Sequence, residues 1–297
     1  MHRNAYVLLF LTALFWGGNA IAGKLAIGHV SPMLLTFARW SVAFVILAVI
    51  GWPRLRADWP VLRARLPSLT LLAGLGFTGF NVALYTALGY TSAINVSIEQ
   101  AGMPMLIFIA SFLLFGLHVG PGQIVGFLLS VAGVLLTASH GDPARILSLD
   151  LNLGDALMLM AIIVYGAYTI GLRYKPDVHS LSLMFVLCGA AALTSLPFAV
   201  AEHAAGATTL PDAQGWGVIA YTAVFPSILA QVFYIRGVEW IGANRAGLFI
   251  NLVPVTGTLL SIAILGEAFF LYHALALALV LGGIWLAEAS GRKRANP

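Results

Sequence analysis

Asn95-Val-Ser-Ile-Glu-Gln-Ala-Gly-Met-Pro104 places asparagine, glutamate and glutamine side chains, then a helix-breaking proline, inside a long apolar run. An ionisable side chain near the centre of a bilayer costs roughly 2.5–3.5 kcal/mol on insertion scales, so Glu99 is expected to line a cavity or hold a partner. A second copy follows as Asn244-Arg-Ala-Gly-Leu-Phe-Ile-Asn-Leu-Val-Pro254. The same spacing extends outward. Trp16-Gly17 pairs with Tyr165-Gly166, and Tyr85 with Tyr234, at an offset of 149, as does Asn95 with Asn244. Pro104 pairs with Pro254, Gly116 with Gly266 and Gly133 with Gly283 at an offset of 150, so one residue is inserted between asparagine and proline.

Composition says what kind of chain carries this duplication. Of 297 residues, 60% are hydrophobic and 9% charged, against about 25% charged in soluble domains. A bilayer span takes about 20 apolar residues, and such segments recur at 5–25, 32–51, 67–88, 93–116, 119–138, 154–173, 181–200, 214–235, 243–265 and 270–290. The fold expected is an all-α polytopic membrane protein of ten transmembrane helices. Residues 1–138 form the first repeat (helices 1–5), 139–153 a linker loop, and 154–297 the second repeat (helices 6–10). Trp52 to Leu66, Ser139 to Leu153 and Ala201 to Ala213 are read as loops. Ser31-Pro32 is read as an N-cap with proline at the first helical position. An odd number of helices per repeat makes the copies cross in opposite senses, as two inverted five-helix repeats.

The net charge of +4 does not mark nucleic-acid binding, because the basic residues fall in short clusters between apolar runs. With the N-terminus inside, twelve of the fifteen Lys and Arg residues fall on the cytoplasmic side. Only Lys24, Arg39 and Arg145 fall elsewhere, so both termini are expected in the cytoplasm. Cys188 is the single cysteine, which excludes an intrachain disulfide. Ala20-Ile-Ala22 has the form of a signal cleavage site, but the repeat requires this first segment as a permanent helix.

Polar and aromatic positions fall on single helix faces. Trp16 and Asn19 line up in the first helix, Asn81 and Tyr85 in the third, Asn95 and Glu99 in the fourth. Tyr165 and Tyr168 share a face of the sixth helix, Ser227, Gln231 and Tyr234 one of the eighth, and Asn244 and Asn251 one of the ninth. These six helices are three pairs of repeat mates, and the substrate cavity is expected among them. Any one of these residues alone is as well explained by an interhelical hydrogen bond. Pro104 and Pro254 are read as hinges that kink their helices and free the carbonyls of Gln100 and Ile250, and Pro226 frees that of Thr222. Glu99 has three readings: pairing with Arg39 or Lys24, proton linkage, or simple wetting. Glu267, whose repeat mate is Leu117, has no physical account from sequence.

Several apparent motifs fail on context. Gly18 to Lys24 has phosphate-loop spacing, but Leu25 replaces the hydroxyl residue and no strand precedes it. Gly74-Leu-Gly76-Phe-Thr-Gly79 fits a dinucleotide fingerprint yet lies inside an apolar helix, where small residues serve close packing. The fifth helix (Gly122, Gly126, Ser130, Gly133) and the tenth (Ala276, Gly283) carry small faces, read as intramolecular contacts, with a dimer through these helices as the alternative to a monomer. No metalloprotease, acyltransferase or intramembrane protease pattern is present, and no enzyme activity, metal or cofactor is expected. The partners expected are the lipid bilayer and a small-molecule substrate.

Leu14-Phe-Trp-Gly-Gly-Asn19, Val30-Ser-Pro32 with Arg39, and the two runs from Ala93 to Pro104 and Ala243 to Pro254, the second leading to Gly266-Glu267, resemble the EamA family of the drug/metabolite transporter superfamily over nearly the whole chain. Leu117 departs from the acidic residue that often follows the glycine there. The resemblance implies a carrier in the bacterial inner (plasma) membrane, most like amino-acid exporters of the aromatic-exporter type. Such a carrier is expected to export small metabolites, and the inverted repeat leads to the expectation of alternating access. Multidrug or nucleotide-sugar-like export is the runner-up, although anionic sugars want a basic cavity, which requires Arg39 or Lys24 to turn inward. A non-transporting receptor or assembly protein is the alternative from another class.

Overall fold

The computed structural model describes residues 2–115, 120–142, 152–242, 246 and 249–295, and every regular element within them is helical. In chain order they are α1 (His2–Leu25), α2 (Pro32–Ala64), α3 (Leu66–Ala87), α4 (Ala93–Gln100), α5 (Met103–Phe115) and α6 (Pro121–Ala138). Then follow α7 (Leu153–Gly171), α8 (Ser180–Ala204), α9 (Ala213–Ile241), α10 (Val253–Leu265) and α11 (Leu271–Ala295). Seven described helical stretches are long and apolar enough to cross a bilayer, which makes this a multi-pass membrane protein. The fourth expected span is divided between α4 and α5, and the ninth and tenth are represented by the shorter apolar stretches Val253–Leu265 and Leu271–Ala287.

Two expectations need correction. Trp52 to Leu66 is not a loop: α2 continues to Ala64 through Pro53 and Pro60. Each proline removes a single backbone bond, and the carbonyl-bearing residues concerned, Val49 and Arg56, are exposed. Leu55 and Leu62, seven residues apart, bury on one side while Arg54, Arg56 and Arg63 stay outside, so an amphipathic helix persists. Nor is the helix at Pro104 kinked. It stops at Gln100 and restarts at Met103, so Pro104 sits in the first turn of α5, where no amide donor is missed. Pro254 occupies the same place in α10 after a turn at Asn251 and Leu252.

Both α3 and α9 widen into a π-helical turn at matching places, Gly74–Gly79 and Phe225–Leu229. In α9 the cause is Pro226, and Ser227 Oγ donates to the freed Thr222 carbonyl at 2.8 Å. In α3 no proline is needed: Gly76 lets the Tyr168 ring lie against the backbone where any Cβ would collide. The fingerprint glycines are therefore packing residues. The small faces of α6 and α11 also meet one another, Gly126 against Gly283 and Ala287, and Gly133 against Ala276 and Val280.

Two glutamates cap helices from across the fold. Ser31 is not an accepting N-cap; its hydroxyl donates to Glu202 (2.5 Å), whose oxygens also accept the Met33 and Leu34 amides at 3.2 and 3.1 Å. Gly266, in the left-handed region at φ 66°, turns the chain after α10 so that Glu267 accepts the Ala93 and Ile94 amides at 2.8 and 2.9 Å. Negative charge at a helix N-terminus is stabilising, which supplies the physical role that sequence left open for Glu267.

Candidate functional site

A cavity of about 540 Å³ opens between the two halves of the chain. Trp16 and Asn19 reach it from α1, Asn81 from α3, Tyr165 and Tyr168 from α7, Gln231 and Tyr234 from α9, and Asn251 from the turn before α10. Pro104 and Pro254 line it as well, so both helix breaks face the same space. Aromatic rings form much of its wall: Trp16 packs on Tyr234 with centroids 5.6 Å apart, and Tyr165 lies 5.2 Å from Tyr168 and 5.0 Å from Phe80. Trp16 Nε1 donates to the Pro226 carbonyl at 3.1 Å, so the proline break also anchors the indole.

At the deep side of this cavity lies Arg39, which is 4% exposed. Its Nε donates to Ser227 Oγ (2.8 Å), and Nη1 to Asn81 Oδ1 (2.7 Å), Asn19 Oδ1 (3.0 Å) and Tyr85 Oη. Three of the four acceptors spend their own protons elsewhere. Ser227 donates to Thr222 O, Asn81 Nδ2 to Phe77 O (2.6 Å), and Tyr85 Oη to Asn19 Oδ1 (2.9 Å). Their lone pairs are thus turned onto the guanidinium, which also stacks 4.6 Å over the Trp40 ring. All of these partners are neutral.

Other expected site residues lie apart from the cavity. Tyr85 is buried behind its wall as a support for Arg39 and Asn19. Asn95 belongs to a separate chain of bonds. His273 Nδ1 accepts the Phe270 amide, so its Nε2 donates to Asn95 Oδ1 at 3.1 Å. Asn95 Nδ2 in turn reaches Thr91 Oγ1 at 3.2 Å, and Thr91 donates to Asp155 at 2.5 Å. The second Asp155 oxygen meets His140 Nε2 at 3.0 Å. Glu99 is fully buried in α4, and neither of its carboxyl oxygens has a hydrogen-bond partner among the described residues. The expected pairing of Glu99 with Arg39 or Lys24 is not formed, because Lys24 Nζ caps the Leu88 and Thr91 carbonyls at 2.7 Å each and Arg39 is engaged as above. Asn244 lies outside the described residues.

Sequence reasoning named Arg39 only as a cation that an anionic cargo would require to turn inward, and passed over Trp40, Phe77, Phe80 and Gln100 as lining residues. Arg39 did carry a signal, being one of three basic residues outside the cytoplasmic clusters. Phe77 and Phe80 carried none, since apolar rings in an apolar helix have no distinguishing pattern.

The model of the EamA-like transporter family matches residues 3–139 and 152–288. The uncharacterized transporter YyaM of Bacillus subtilis (strain 168) is 27% identical over 97% of this chain and 94% of its own. The uncharacterized inner membrane transporter YicL of Salmonella typhimurium is 24% identical over 99% of this chain and 98% of its own. A solved crystal structure of another protein superposes with a TM-score of 0.65 at 22% identity, over 99% of both chains, which establishes a shared fold.

Proposed function

The chain belongs to the EamA-like transporter family, and on that premise we propose that it exports amino acids or similar small metabolites across the bacterial plasma membrane by alternating access. The observation that carries this reading is the cavity between the halves, where eight of the expected polar and aromatic residues converge. Aromatic walls of this kind hold apolar side chains, and the Asn and Gln amides offer donors and acceptors for polar ends. The reading includes ten spans in two inverted repeats with both termini cytoplasmic, the arrangement in which a midplane site alternates between the two sides. Pro104 and Pro254, each opening a half-helix at the cavity, act as the hinges. The mutual burial of the α6 and α11 small faces favours a single chain as the working unit.

One observation favours the runner-up, an anionic metabolite of the nucleotide-sugar kind: Arg39 turns inward. Counterflow in liposomes reconstituted with the purified protein and preloaded with an amino-acid panel tests the main reading. Tyr85→Phe removes two bonds that position Arg39 and Asn19 and should lower uptake about tenfold, the scale of one hydrogen bond to a charged group. Thr169→Trp, which fills the cavity, should abolish it. Full uptake by both variants would reject the cavity as the transport site.

A further inference from the structure

We infer that Arg39 is the anion-binding group of the cavity and that the preferred cargo is a small monocarboxylate with an apolar or aromatic body, bound as a net anion rather than as a zwitterion. This rests on the reading of the cavity as the transport site, and within that reading it narrows the cargo from amino acids to the similar small metabolites. A buried guanidinium is expensive unless its charge as well as its hydrogen bonds is compensated. Here the hydrogen bonds of Nε and Nη1 are met by Ser227, Asn19, Asn81 and Tyr85, but every one of those partners is neutral. The second terminal nitrogen, Nη2, has no hydrogen-bond partner among the described residues. No aspartate or glutamate lines the cavity among them: Glu267 is engaged as the cap of α4, and Glu99 is buried outside the lining and forms no pair with Arg39. The protein thus holds a fixed positive charge at the deep side of an aromatic space and leaves its counter-ion to be supplied by what enters.

The chemistry of that counter-ion follows from number and shape. One guanidinium with one unengaged terminal nitrogen suits a single carboxylate; a phosphate dianion is ordinarily held by more than one cation. An ammonium group on the same ligand would find amides, hydroxyls and ring faces, with no carboxylate among the described lining residues. The rings of Trp16, Phe80, Tyr165 and Tyr168 would receive the ligand's apolar part.

The test is calorimetric binding to the purified full chain, using 3-phenylpropionate, L-phenylalanine, 3-phenylpropanamide, 3-phenylpropylamine and 2-phenylethylphosphonate. The acid should bind tighter than the neutral amide by about ten- to a hundredfold, the worth of a charge-assisted bond. It should also bind tighter than the zwitterion, and the amine should not bind. Arg39→Gln should bind acid and amide alike, and Arg39→Lys, which keeps the charge if the glutamine variant fails to fold, should retain the preference. Equal binding of acid and amide by wild type, an acid preference surviving in Arg39→Gln, its loss in Arg39→Lys, tighter binding of the phosphonate or the amine, or no binding of the acid would each overturn the inference. Thr169→Trp separates the two levels. If it abolishes binding of acid and amide that wild type fails to distinguish, the cavity stands and the anion assignment falls. If it leaves binding intact, the cavity reading falls.

Discussion

At the scale of single residues, Glu99 and Arg39 show opposite solutions to the cost of charge in an apolar interior. Arg39 is wrapped in oriented acceptors; Glu99 is buried with neither oxygen bonded among the described residues. A buried polar group without partners costs about 1–3 kcal/mol relative to an apolar group of the same shape. Glu99→Met keeps the length and removes that penalty, so it should raise the thermal midpoint of the detergent-solubilised protein by several degrees if the carboxyl is idle. Unchanged counterflow beside a higher midpoint would settle it as a tolerated fault. Lost counterflow beside that higher midpoint would show that the carboxyl is kept for transport at the expense of stability. Asn95, one turn earlier, is different in kind: its amide links His273 to Thr91 and so ties α11 to the turn between α3 and α4.

At the scale of elements, much of the helical layout was legible because periodicity and length report directly on a helix that must span lipid. The starts of α2, α4 and α7 follow the sequence reading within about a residue, and that of α6 within two. What was not legible was how helices end. A proline reads as a kink when the chain is followed locally, yet at Pro104 and Pro254 the helix restarts, and through Pro53 and Pro60 it does not stop at all. Packing partners far along the chain decide between these outcomes. The same holds for caps, since Glu202 and Glu267 are about 170 residues from the amides they hold. The asparagine, glutamine, tyrosine and tryptophan part of the cavity wall was readable from residues at helical spacing. Its phenylalanine walls and the inward turn of Arg39 depended on tertiary geometry.

One cap makes a pH prediction at this scale. Asp212 accepts the Gly215 amide at 2.8 Å and pairs with His29 at 2.7 Å. Chiefly through the Gly215 amide, and then through His29, its carboxyl is held below the usual aspartate range. A group whose pKa is lower in the folded state stabilises that state above its unfolded pKa and loses the effect as pH falls through the folded value. Asp212→Asn keeps an acceptor for the cap and removes the charge. The wild type should therefore melt above Asp212→Asn at pH 7, with the gap closing below about pH 4. Melting curves of the two proteins across that range check it; a gap that widened toward acid would show that the charge is not what the cap contributes.

At the scale of the molecule, a group of bonds closes one end, while Trp16–Pro226, Arg39–Ser227 and Thr12–Ala230 join the halves mid-helix and the His179 amide reaches Asp58 at the other end. The His29–Asp212 pair, the Glu202 cap on α2, the Glu267 cap on α4, Thr91 with Asp155, and Asn152 Nδ2 to the Tyr90 carbonyl at 2.9 Å all lie at the helix ends that the charge pattern assigns to the outside. The cavity residues Tyr168, Thr169, Leu172, Met184 and Tyr234 sit toward the other ends of their helices. On the proposed topology, this geometry is closed outside and reached from the cytoplasm. Under the proposed alternating access, opening this end would release the two glutamate caps. Each trades a charge-assisted bond in this state for water in the other, worth about 1.5–3 kcal/mol per bond. Glu202→Ala and Glu267→Ala should together shift the population toward the outward-open form by at least tenfold. The shift is readable because Cys188 is buried and unreactive toward bulky reagents. With Thr169→Cys as the reporter, a membrane-impermeant thiol reagent added outside should label the double variant much faster than the protein with both caps intact. Equal external labelling rates, with both proteins folded and labelled from inside, would show that the caps fasten helices but do not hold the gate.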